Sequence, residues 1–141
     1  LPTEGKIFIS VRKSDRLPAV EIARKLAELG FTLYATRGTA SALFEAGLEV
    51  VSVNKVKEGR PHIVDMIKNG EINLIVNTVG DKRSAVQDSY SIRHAVLQAR
   101  VTYFTTLAGA RAACIGMANI RELKVYDLQK LHKLIESELP H

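Results

Sequence analysis

Apolar positions gather in short runs rich in β-branched residues: "KIFISV", "TLYA", "EVVSV", "NLIVNTV" and "VTYFTT". Each run is followed by a segment with helical periodicity. That alternation predicts βα units on a parallel sheet. The segment "DRLPAVEIARKLAELG" shows the pattern most fully: Asp15 as N-cap, Pro18 in the first turn, apolar positions at Val20, Ile22, Ala23, Leu26 and Leu29, and Gly30 as the stop. Further helices are expected over "TASALFEAG", "RPHIVDMIKNG", "SYSIRHAVLQA" and "LAGARAACIGMA". A strand-like "LKVYDL" then leads into a terminal helix, "LQKLHKLIESEL", with Leu128, Leu131, Leu134 and Ile135 on one face.

In an open parallel sheet, ligands sit beyond the carboxyl ends of the strands, near the point where strand order reverses. The first strand ends in "SVRKSDR", offering Ser10, Arg12, Lys13, Ser14 and Arg16. The second ends in "ATRGT". Gly38 lets the backbone approach a ligand closely, and the amides opening the next helix suit an anion. Thr36 and Thr39 either add hydroxyls to a phosphate cradle or cap the helix.

The third run leads into "VNKVKEGRPH", where Lys55 stands closest to the strand end, with Lys57 and Arg60 behind it. His62 and Asp65 have no companions at metal-ligand spacing. The fourth run offers Asn77 and Thr78, then Lys82 and Arg83, an amide for a base or sugar edge and cations for a phosphate. An ordinary βα turn is the competing reading. The fifth offers Thr105 and Thr106, the latter a natural N-cap for a helix whose small residues allow close packing on the sheet.

The 141 residues fit one domain over 1–141, large enough to bury its own core. With 46% hydrophobic and 25% charged residues the composition is that of a globular protein, and no apolar run approaches the ~20 residues of a membrane helix. "LPTEGKIF" has neither an initiator Met nor a leader pattern, so an excerpt of a longer chain is expected. The net charge of +5 favours anionic partners. Yet aromatics are only 6% and basic residues alternate with acidic ones, which argues against a nucleic-acid surface. Cys114, the only cysteine, is expected as a buried packing residue, in keeping with a reducing, cytoplasmic setting.

Candidate catalytic groups are sparse. His62, His94, His132 and His141 are scattered, and neither a GxGxxG nor a GxxxxGK[ST] pattern occurs. Asp15, Glu58, Asp81 and Asp88 suit capping or loop roles. The strand-end set is better equipped to bind an anion than to make or break bonds.

In the order "SVR", "ATRGTA", "VNKVKEGRPHIVDMIKNGEINLIVNT", "DS...IR" and "TTL", the chain resembles the carboxy-terminal methylglyoxal-synthase-like domain of the carbamoyl phosphate synthetase large subunit. The resemblance runs from about Gly5 to the last helix, and "NKVKEGRPHI" is its most specific block. It implies a three-layer, Rossmann-like α/β fold with a five-stranded parallel sheet and helices on both faces. It also implies an allosteric domain that makes no bonds itself, has no cofactor of its own, and binds UMP as inhibitor or IMP as activator.

The family's phosphate-binding threonines fall on Thr36 and Thr39, its strand-end lysine on Lys55, and part of its "N-T-T" on Asn77 and Thr78. Val79 stands where the second threonine of that motif is found, Arg16 replaces a lysine, and Phe104 replaces an acidic residue before Thr105 and Thr106. That threonine pair lies near the ornithine-responsive interface of bacterial family members. The partners implied are the other synthetase domains, which use ATP with Mg or Mn, and a glutaminase small subunit, with neither nucleic acid nor membrane. Methylglyoxal synthase, the enzyme alternative, needs an Asp base in a "GGDQ"-type segment that this chain lacks. On this reading Thr39→Val is expected to weaken effector binding while leaving the fold nearly unchanged.

Overall fold

The computed structural model describes residues 5–54, 62–78 and 83–138; within helices, the side chains of 83–89, 124–127 and 134–138 fall outside that description. The five predicted strands form: β1 (Lys6–Ser10), β2 (Thr32–Thr36), β3 (Val51–Val53), β4 (Leu74–Asn77) and β5 (Thr102–Phe104). They make one sheet in the order β3-β2-β1-β4-β5, with every pairing parallel. Phe8 at the sheet centre pairs with Tyr34 on one side and Ile75 on the other. Strand order reverses at β1, between β2 and β4.

The alternation of side chains along a strand sends successive residues to opposite faces. Ile7 and Ile9 of β1 join one core with Ala19, Ile22 and Leu26 of α1 (Arg16–Glu28), Leu43 of α2 (Arg37–Glu45), and Ala113 and Met117 of α5 (Leu107–Glu138). Phe8, between them, joins the other core, with Ile63 and Ile67 of α3 (Ile63–Lys68) and Ile92 and Val96 of α4 (Arg83–Ala99). The result is a helix–sheet–helix sandwich, and central strands buried on both faces explain why their sequences are nearly continuous apolar runs.

Several boundaries depart from the sequence reading. α2 begins at Arg37 rather than within "TASAL", so "RGT" is the first helical turn and not a loop. Asp15 stands at the N-cap of α1 but makes no cap bond; its carboxylate pairs with Arg12 Nε at 3.0 Å, closing a short 3₁₀ turn over Lys13–Asp15. The largest departure is at the C-terminus. The strand expected at "LKVYDL" does not form, because α5 continues unbroken to Glu138. No Gly or Pro stands between Gly116 and Pro140 to stop it. The first turns of α5 are buried at Ala110, Ala113, Cys114 and Met117, whereas Leu123, Leu128 and Leu131 are exposed.

Candidate functional site

Three strand ends meet at the reversal point. The Thr78 amide donates to the Ser10 carbonyl at 3.0 Å, and the Arg12 amide donates to Thr78 Oγ1 at 2.9 Å, so the chain leaving β1 is tied to the end of β4. On the other side of β1, the Val11 amide donates to Thr39 Oγ1 at 3.2 Å. Thr36, Thr39, Asn77 and Thr78 are all buried.

The hydroxyls of Ser10, Thr36 and Thr39 form a chain. Thr36 donates to Thr39 at 3.4 Å, and because each hydroxyl has one proton, Ser10 supplies the proton of its 3.2 Å contact with Thr36. The Thr39 proton is then left without an acceptor among the described residues. Both contacts are longer than the ~2.7–2.8 Å usual for O–H···O, so these hydroxyls hold one another weakly. A charged oxygen competes well for such donors.

Thr36 has the backbone of an N-cap, φ −65° and ψ 157°, yet its side chain makes no cap bond to α2. Its hydroxyl is engaged with Ser10 and Thr39 instead, so Thr36 makes no side-chain bond to the first-turn amides. Above this turn lies the Arg16 guanidinium. A Cβ on Gly38 would collide with Arg16 Nη2 and sit 2.9 Å from Cζ. The glycine therefore makes room for a cation as well as for a close approach to backbone. Arg16 Nε is buried and has no hydrogen-bond partner among the described residues. An arginine, three hydroxyls and an uncapped helix N-terminus with its partial positive charge thus converge where an anion fits.

Asn77 donates from Nδ2 to Tyr103 Oη at 3.1 Å, a partner that sequence reasoning missed. Ile75 pairs with Tyr103 in register, and Asn77, two residues on, presents its amide on the same face. Only the register reveals this pair. Thr106 is the N-cap expected: its Oγ1 accepts from the Gly109 amide at 3.1 Å, and it and Thr105 are exposed. Lys55 and Lys82 lie outside the described residues, as does the side chain of Arg83.

The expectation that Thr39→Val spares the fold is corrected by the Val11 bond, since removing Oγ1 strands a buried amide. His62 lies 3.7 Å from Asp65 through Nε2, and among the described residues no group of three His, Cys, Asp or Glu side chains is arranged to hold a metal. Cys114 is buried as expected; burial pushes its thiol pKa up, with Lys25 pulling weakly the other way. Among the described residues no helix is long and apolar enough to cross a membrane.

A family model for the MGS-like domain matches residues 18–105. The carbamoyl phosphate synthase large chain of Ralstonia nicotianae is 57% identical over 132 residues, covering 94% of this chain and 12% of that protein. Its counterpart in Xanthomonas axonopodis pv. citri is 52% identical over 136 residues, covering 96% and 12%. The chain thus spans about 12% of the length of the curated relatives it matches. Among solved structures, methylglyoxal synthase from Elizabethkingia anophelis superposes with a TM-score of 0.63 over 81% of this chain and 79% of that one. At 20% identity that likeness concerns the fold.

Proposed function

The chain belongs to the MGS-like domain family, and from that premise we propose that it is the allosteric domain of a glutamine-hydrolysing carbamoyl phosphate synthase large chain. In this reading residues 1–141 form one regulatory unit of a longer cytoplasmic polypeptide. It binds a nucleoside monophosphate of the UMP or IMP type and makes no bonds itself. The catalysis it governs uses ATP with Mg or Mn in other domains, with ammonia from a glutaminase partner, and feeds pyrimidine and arginine synthesis.

The observation that carries the proposal is the convergence of the Ser10, Thr36 and Thr39 hydroxyls with Arg16 at the uncapped start of α2. A phosphate dianion accepts from the hydroxyls and first-turn amides together, and each bond is charge-assisted and worth about twice a neutral one. The buried Nε, unpartnered among the described residues, gives Arg16 a donor that such an oxygen satisfies. Asn77, which donates to Tyr103 Oη, stands on the neighbouring strand end, where an amide suits a sugar or base edge. Lys55, Lys82 and Arg83 add cations in the sequence reading. Regulation follows if one conformer of the whole enzyme binds the effector better; coupling of ~1–3 kcal/mol changes substrate affinity about 5- to 150-fold.

Calorimetry with UMP, IMP and dihydroxyacetone phosphate, with turnover assayed for the last, tests this. Nucleotide binding without turnover is expected. Methylglyoxal production would replace the regulatory reading by the lyase one.

A further inference from the structure

Away from the effector site, a groove of about 600 Å³ runs between the C-terminal half of α4 and β5. Its apolar lining is Val96, Leu97 and Val101, and its charged lining is Arg93 and Arg100. β5 is an edge strand, paired to β4 on one side and to no described strand on the other. Such an edge offers a row of backbone donors and acceptors to an added strand. Beside it Leu97 is 74% exposed, a large apolar side chain left uncovered.

Arg100 is held there at a cost. α1, α2 and α3 are followed by glycines in the left-handed region, Gly30, Gly47 and Gly70, whereas α4 ends on Arg100 at φ 56°. A side chain in that region is disfavoured relative to glycine. That conformation closes the end of α4, the Val101 amide donating to the Val96 carbonyl at 3.4 Å.

We propose that this groove docks an extended acidic segment from elsewhere in the longer polypeptide, added as a strand along the free edge of β5 with its carboxylates on Arg93 and Arg100. Among the described residues, both charged groups lining the groove are positive, which selects acid. The two arginines stand seven residues apart, about 10 Å along a helix. Same-face residues of a strand repeat every ~6.6 Å, so carboxylates two or four residues apart reach both guanidiniums. The matched relatives continue far beyond this chain, which spans 12% of their length, so the occupant has ample sequence to come from. A two-fold contact between copies would set arginines against arginines. Tyr103, which lines the strand side, is also the acceptor of the Asn77 amide, so the groove and the effector site share one hydrogen bond.

The test is hydrogen exchange, read by mass spectrometry, on the full-length polypeptide without nucleotide, so that its outcome is independent of the effector reading. In the variant carrying Arg93→Glu and Arg100→Glu, peptides covering residues 100–106 are expected to exchange about tenfold faster or more than in the wild type. Arg111→Glu, at an exposed position on α5, is expected to leave them unchanged. If the double variant fails to fold, a wild-type series from ~0.05 to ~0.5 M salt reads the same contact, with exchange accelerating as the ion pairs are screened. Exchange unchanged in the folded double variant, or flat across the salt series, overturns the proposal. Protection that rises with protein concentration assigns the groove to a second copy, and overturns it too.

Discussion

Gly38→Ala separates the site's function from the fold's stability. Gly38 is the second residue of α2, and its backbone is not in the left-handed region, so alanine suits the position conformationally. Replacing glycine by alanine in a helix gains roughly 0.5–1 kcal/mol. The new Cβ meets only the flexible end of Arg16, at 2.9 Å from Cζ where ordinary contact begins near 3.4 Å, so the guanidinium must retreat. Its Nε makes no hydrogen bond to the described residues, and moving it breaks none with them. Stability is therefore expected to hold or rise by up to about 1 kcal/mol, a gain of a few degrees in Tm. Binding moves the other way. Losing one charge-assisted bond to phosphate costs about 1.5–3 kcal/mol, a roughly 10- to 150-fold weaker Kd for UMP or IMP. Calorimetry and thermal denaturation on the same preparations read both effects. Unchanged affinity would remove Arg16 from the phosphate site, and a loss of more than about 1 kcal/mol of stability would make the Arg16–Gly38 contact structural.

Three further outcomes are expected. Thr39→Val leaves the Val11 amide unpaired and is expected to cost about 1–3 kcal/mol in urea unfolding as well as weakening nucleotide binding, whereas Thr39→Ser keeps the hydroxyl and most of both; an unmoved midpoint for the valine variant would refute the Val11 bond. Lys55→Ala is expected to weaken nucleotide binding and flatten its salt dependence, and an unaltered slope would argue against a phosphate contact. The raised pKa of Cys114 means that the folded state keeps its thiol proton to higher pH than the unfolded state does; its contribution is full below the unfolded value of ~8.5 and is lost as pH rises through the folded one. Cys114→Ala is therefore expected to shallow the alkaline fall in stability, and identical slopes in both proteins would contradict this.

The sheet was legible because its central strands are buried on both faces and read as unbroken apolar runs, with glycines marking the ends of α1, α2 and α3. α5 was not. "LKVYDL" carries the β-branched and aromatic residues of a strand, but the helix preceding it meets no breaker and carries the segment along with it. At the site, sequence pattern placed Ser10, Arg16, Thr36, Thr39, Asn77 and Thr78 just after the strands; Ser10, Thr36, Asn77 and Thr78 do stand at strand ends, whereas Arg16 and Thr39 lie in the first turns of α1 and α2. It could not show that Val11 and Arg12 spend their amides on two of those threonines, or that Tyr103 holds Asn77. Those bonds depend on register and on strand order, which a single sequence does not encode locally. The role of Gly38 was likewise half visible: the small residue was evident, but the arginine filling its space comes from another helix.

A nucleotide's phosphate is expected where Thr36, Thr39, Arg16 and the start of α2 meet. A crystal structure with UMP or IMP bound tests it most directly. Phosphate oxygens are expected within about 3 Å of the two threonine hydroxyls and the first-turn amides of α2, with the Arg16 guanidinium turned onto them. A nucleotide seated elsewhere, with the Ser10–Thr36–Thr39 chain undisturbed, would contradict it.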